Sequence, residues 1–179
     1  MQTKTSIERL QALLPDVFEP QAKTGQLYLG FRVGSVLNAA FPLGKVVETL
    51  QVSASSITPL PNMPASVLGL MNNQDKIFWA IDLAFLLGVR QEFHHFRQYN
   101  MIIVEMLSIG QDNDSLLLGL AVDQIQSTLR LDIDKVEPPN SDHSRHLLPY
   151  LDGQLWQQGK EILLLNLDAI FSAQDLYLE

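Results

Sequence analysis

Residues 57–88, ITPLPNMPASVLGLMNNQDKIFWAIDLAFLLG, decide how this chain is read. A loop paced by Pro59, Pro61 and Pro64 leads to a Gly-x-x-Asn stretch at Gly69–Asn72, and an apolar run then ends in Asp82-Leu83. Proline has no backbone N–H and stays out of sheet interiors, so the first third is loop. Ala65–Met71 is expected to hold a short helical turn, Asn72–Asp75 a tight turn, and Ile77–Leu83 a buried strand. The stretch holds no nucleophile with a base, no glycine-rich phosphate cradle and no metal-ligand set, which suits a surface that other molecules touch.

Upstream, Leu27, Leu29, Phe31 and Val33 alternate with Tyr28, Gly30 and Arg32, the pattern of a half-buried strand. Gly34-Ser35 turns the chain, and Val36–Phe41 reads as the returning strand. Lys45–Leu50 is expected to form a helical turn carrying Val46, Val47 and Glu48. Downstream, Met101–Leu107 and Leu116–Val122 read as a hairpin joined by the polar turn 110–114. Tyr150–Gln154 and Glu161–Leu167 flank a turn at 157–159, and Asp168 is expected to cap a closing helix over 168–176. Many short strands with turn residues between them indicate barrels or a sandwich. Near the start, Ile7, Leu10, Leu13 and Leu14 share one face of a short amphipathic helix, with a linker after Pro15.

A chain of 179 residues with 46% hydrophobic and 18% charged residues can bury a substantial core. The net charge is −8, and no Lys or Arg occurs between Lys45 and Lys76 or between Arg97 and Arg130. That excludes the basic footprint nucleic acids require and argues against an anionic membrane as partner. With no cysteine, thiol chemistry and disulfides are excluded. The sequence shows no signal core or spanning segment, so a cytoplasmic location without membrane insertion is expected.

Candidate chemistry is sparse. His94-His95, and His143 with His146, are the histidines, and the second pair lies in a solvated Ser/Asp/Pro loop rather than on a helix, so no metal site is expected. Asp82 and Asp123 each end an apolar run and form the one conceivable acid–base pair, in a small-molecule-binding or enzymatic double barrel. Strand-end aspartates more commonly accept hydrogen bonds from the next turn. Trp79 and Trp156 sit in apolar surroundings and are expected in the core.

Taken together, three blocks resemble the CheW-like family of chemotaxis coupling proteins. They are Leu27–Gly34 running to Lys45-Val-Val-Glu48; Ile57–Pro64 continuing through Gly69-Leu-Met-Asn72 to Ile81-Asp-Leu83 and Gly88; and Leu118–Asp123 followed by Tyr150–Gly153 and Ile162–Asp168. The resemblance covers about residues 26–172 and implies a mainly β fold of two SH3-like five-stranded barrels side by side, with short helices at both ends of the chain. Lobe one is expected over about 26–90 and lobe two over about 98–167, after an N-terminal helix and linker over 1–25 and before a helical tail over 168–179. The resemblance further implies no catalysis and no cofactor. It implies an adaptor between a methyl-accepting receptor's signalling tip and the regulatory domain of a CheA-type histidine kinase.

Carried over by position, the implied partner-binding residues are Val46, Val47, Glu48, Asn72, Gln74 and Asp75, with Met101 and Ile103 in a strand that walls a groove between the lobes. This chain departs from the family in that turn, where Asn-x-Arg-Gly is usual and Gln74 and Asp75 stand instead of Arg and Gly. The change removes a fixed positive charge and adds a negative one, which disfavours a partner carboxylate there. A dedicated partner set is implied, as in a phototaxis or type IV pilus motility system.

Overall fold

The computed structural model describes residues 25–74, 76–90, 96–107, 115–173 and 176. The expected N-terminal helix, Asp75, His94-His95 and the 110–114 turn lie outside them. The strands are β1 (Gln26–Val33), β2 (Leu37–Pro42), β3 (Val46–Ser53), β4 (Ile57–Thr58), β5 (Val67–Asn73), β6 (Lys76–Asp82), β7 (Gln98–Leu107), β8 (Ser115–Val122), β9 (Gln124–Leu131), β10 (Leu151–Gln157) and β11 (Lys160–Leu165). Single-turn helices at Leu83–Leu86 and Leu167–Phe171 follow β6 and β11.

The fold is mainly β, in two barrel-like lobes. One sheet runs β10-β11-β2-β1-β9 and the other β3-β7-β8-β6-β5-β4. Their membership corrects the expected lobe boundaries. The chain starts in the five-stranded sheet, crosses to the six-stranded one through the 3-10 turn Leu43–Lys45, and returns through the single residue Asp123 between β8 and β9. The polar break near Arg90–Tyr99 is a connection inside the six-stranded lobe, because β6 and β8 pair in parallel across it. Parallel partners need a long crossover, and a composition break does not distinguish one from a linker.

Two local expectations also change. Val46–Ser53 and Val67–Asn73 are strands, not helical turns. In both, cross-strand pairing with an apolar neighbour outweighs weak local preference: β3 pairs with β7 and β5 with β6. The closing helix starts at Leu167 and is capped by Asn166, whose Oδ1 accepts from the Ala169 N–H at 2.7 Å; Asp168 lies within its first turn.

Three apolar clusters hold the lobes. Val52, Ile57, Met71, Phe78, Met101 and Ile103 fill the six-stranded lobe. Tyr28, Ala40, Leu131, Leu155, Ile162 and Leu164 fill the five-stranded one. The largest cluster lies between the sheets and includes Phe31, Phe41, Ile81, Ile102, Leu120, Leu163 and Phe171. Central strands serve two clusters at once. In β7, Met101 and Ile103 point into the lobe while Ile102 and Val104 point to the other sheet, as the two-residue period requires. Such strands carry near-continuous apolar runs, Met101–Val104 in β7, because both faces are covered there.

Candidate functional site

Asp82 and Asp123 converge on one guanidinium. Arg90 Nη1 donates to Asp82 Oδ2 at 3.0 Å, and Nη2 donates to Asp123 Oδ1 at 2.9 Å. The second oxygens are also engaged. Asp82 Oδ1 accepts from the Phe85 N–H at 3.1 Å, capping the helix Leu83–Leu86, and Asp123 Oδ2 accepts from the Gly34 N–H in the β1–β2 turn. Asn100 Nδ2 donates to the Asp123 carbonyl at 2.9 Å, and the Phe96 ring lies 5.1 Å from the Arg90 guanidinium carbon. The Arg90 side chain is 15% exposed and that of Asp82 is 4% exposed.

The adjoining cavity holds about 90 Å³. Ligand sites commonly enclose ~300–1,000 Å³. Four carboxylate oxygens bound to internal donors, beside so small a cavity, describe a staple that ties the end of β6 to the crossing between the lobes. The Asp82 and Asp123 pair therefore serves structure, and the enzymatic double-barrel alternative has no free acid or base here.

The residues carried over from the family divide. Val47, Glu48, Gln74 and Ile103 line one cavity of about 240 Å³ at the end of the six-stranded lobe, with Asn73, Lys76, Phe78 and Leu117. Local backbone explains the gathering. Val46 pairs with Val104 and Glu48 with Ile103, so Val47 is the extra residue of a β-bulge and turns outward at 43% exposure. Across the mouth, Asn73 pairs with Lys76 to close the β5–β6 hairpin, and Gln74 takes a left-handed φ of 48°. Asn73 Nδ2 donates to Glu48 Oε1 at 2.6 Å and fixes that carboxylate at the rim. No cation among the described residues pairs with it.

The rest of the set lies elsewhere. Val46 packs against the core between the sheets, and Asn72 is exposed on β5. Met101 is fully buried and Ile103 nearly so, both inside the lobe. They are core and not a groove wall, and Ile103 reaches the mouth only as part of its floor. The expected groove between the lobes is filled by the largest apolar cluster. Asn73 was legible only as part of the turn that borders the implied contact region, and Lys76 was missed.

Both tryptophans were expected in the core. Trp79 is half-buried at the rim of the inter-sheet cluster, whereas Trp156 is 66% exposed, because its neighbours on β10 point inward and it points out. His143 Nε2 lies 3.1 Å from Gln154 Oε1, while His146 packs beside Gly88, so the two histidines face different surroundings. Among the described residues no group of three His, Asp or Glu side chains is placed to hold a metal ion.

A curated relative, "Chemotaxis protein CheW" of Rhizobium meliloti (strain 1021), is 27% identical over 118 residues, covering 66% of this chain and 71% of the relative. The crystal structure of the scaffolding protein TtCheW from Thermoanaerobacter tengcongensis superposes with a TM-score of 0.69 at 23% identity, over 86% of this chain and 98% of that one. Residues 27–175 match the family model described as the CheW-like domain. The chain belongs to the CheW-like domain family.

Proposed function

We propose that this protein is a non-catalytic chemotaxis adaptor that holds a CheA-type histidine kinase and a methyl-accepting receptor's signalling tip in one assembly. The observation that carries this reading is the mouth of the six-stranded lobe, where an outward valine on a bulge stands beside a carboxylate fixed by Asn73, in ion-pair contact with no described cation, over an apolar floor with Lys76 at the rim. Protein contacts commonly combine an apolar centre with a polar group that sets register. The mouth lies at the place where the family's Lys-Val-x-Glu and Asn-x-Arg-Gly blocks meet. The staple at Arg90 engages both Asp82 and Asp123, which supports an adaptor over an enzyme that uses that pair.

Val47, Glu48 and Gln74 form the centre of the proposed contact region, and Asn72 and Asp75 adjoin it in sequence. With Gln74 in place of arginine, the partner that fits presents no carboxylate to this turn, so the partner set is a dedicated one. We read the chain as a variant from a phototaxis or type IV pilus system, acting in the cytoplasm. Among the described residues, no helix is long and apolar enough to cross a membrane.

The test is binding and function together. The folded protein should capture a CheA-type kinase at micromolar concentration and change its autophosphorylation when receptor tips are added. Capture of neither kinase nor receptor overturns the reading. Deleting the gene and scoring light-directed against pilus-driven movement separates the subtype.

A further inference from the structure

The two tight hairpins, β5–β6 and β10–β11, close alike and differ one step from the turn. Asn73 pairs with Lys76 in the first and Gln157 with Lys160 in the second. Each turn holds a glutamine in the left-handed region, Gln74 at a φ of 48° and Gln158 at 53°. The next pair is Asn72 with Ile77 in one hairpin and Trp156 with Glu161 in the other. An amide serves this position, so the turn does not account for the indole of Trp156, which is 66% exposed. Residues directly opposite in an antiparallel pair share one face and hold their Cβ atoms ~4.5–5.5 Å apart. Leu155 and Ile162 point into the lobe, which leaves the indole and the Glu161 carboxylate side by side on the outer face.

The surroundings define what fits there. The Glu161 side chain is 31% exposed, and its ion-pair contact among the described residues is His143 Nε2 at 3.7 Å, an imidazole and not a permanent cation. His143 is held in turn by Gln154, whose Oε1 lies 3.1 Å from Nε2 and accepts from the Asn140 N–H at 2.9 Å. The loop before β10 thus walls the carboxylate on one side. On the other side the β11–β2 ladder pairs Leu163 with Ala39, and two residues earlier the same register sets Leu37, half-buried at the rim of the inter-sheet core, beside Glu161. Lys160 lines a cavity with Gln157 and Ile162, so its charge points away from Glu161. An aromatic face, an apolar neighbour and a carboxylate without a fixed counter-charge match a guanidinium. Its plane stacks on the ring, its fork meets the carboxylate and its aliphatic stem covers the leucine. We propose that Trp156, Glu161 and Leu37 form a docking site for an arginine side chain presented by a protein partner. Tryptophan and arginine are the residues that most often anchor such contacts. The site shares no residue with the mouth at Glu48, so it holds whether or not that mouth binds a kinase.

The experiment titrates the full chain with N-acetyl-arginine amide and follows the Trp156 indole N–H and the Leu37 methyl signals by NMR. Sodium chloride and the uncharged N-acetyl-citrulline amide serve as parallel titrations. Both signals should shift saturably with the arginine probe, with a midpoint on the order of tens of millimolar, and with neither control. Glu161→Gln should weaken that binding about threefold, as loss of an exposed ion pair does. Trp156→Leu, read at the Leu37 methyls, should weaken it at least as much. Shifts without saturation, equal shifts with citrulline, or an unchanged midpoint in either variant overturn the proposal. A Trp156 signal that moves when the protein alone is concentrated overturns it as well, by placing a second copy on the site.

Discussion

Two carboxylate centres lie in this molecule, and their neighbours assign them opposite work. At the staple, both oxygens of Asp82 and both of Asp123 meet donors, and the guanidinium between them is mostly buried. At the mouth, Glu48 meets one neutral amide and an outward valine. A carboxylate whose hydrogen-bonding capacity is used internally stabilises the fold. One that is held in place without a bonded counter-charge stays open to a partner, which is the role proposed above for Glu48.

The hardest way to break this comparison is to remove Arg90. Arg90→Ala leaves two adjacent carboxylates, one almost fully buried, without a counter-charge, and losing one partner of a buried pair costs about 3–5 kcal/mol. Chemical denaturation should show that loss, while binding at the mouth of the still-folded fraction keeps its affinity. A variant as stable as the parent would show the staple to be idle. Charge reversal at the rim should do the opposite. Glu48→Lys should weaken capture of the kinase or receptor about tenfold, or ~1.4 kcal/mol. Stability should fall by less than at the staple, by about 1–2 kcal/mol for the lost hydrogen bond from Asn73. Equal affinity for both proteins would remove Glu48 from the contact.

What the sequence made legible follows the range of the interactions. Alternation in Leu27–Val33 and the apolar run Met101–Val104, resumed at Met106, announced β1 and β7, because side-chain period is local. The lobes were not legible in the same way. Which sheet β3 or β9 joins depends on pairings made dozens of residues away, and the chain changes lobes at Leu43–Lys45 and at Asp123 without a break in composition. The site was half legible. Glu48 and Gln74 stand together as the family blocks implied, but Met101 and Ile103 face inward. An apolar strand residue reads the same whether its face is a groove or a core, and the sheet beyond it decides. Asp82 was legible as a turn acceptor, yet Arg90, eight residues on, carried no sign that it would join Asp82 to Asp123.

The turn opposite Glu48 sharpens the comparison at lower energy. Gln74 holds a φ of 48°, in the left-handed region that costs a residue with a Cβ about 1–2 kcal/mol. Gln74→Gly removes that strain at some cost in unfolded-state entropy, for a net gain near 1 kcal/mol. If Gln74 is retained for contact, the same variant should gain stability in a thermal melt while losing partner affinity. A gain in both would mean that the residue is tolerated and not used.

The smallest effect is expected far from both centres, at Tyr28 in the five-stranded lobe. Burial, with the negative charge of Asp152 adding to it, raises the phenol above its ordinary value near 10. The folded state thus favours the protonated form, and the resulting stability is complete below pH 10 and lost as pH rises through the raised value. Ultraviolet titration should show a tyrosine step above the ordinary range that belongs to Tyr28. Tyr28→Phe should abolish that late step and flatten the alkaline decline in stability. Because Asp152 accepts from Asn166 Nδ2 at 2.6 Å, its charge is held near the five-stranded lobe. Neutralising it with Asp152→Asn should move the Tyr28 titration downward by less than burial moves it upward. A titration that falls to the ordinary value in that variant would reverse the order of the two causes, and would make Asp152 a third kind of carboxylate, acting on a neighbour through its field.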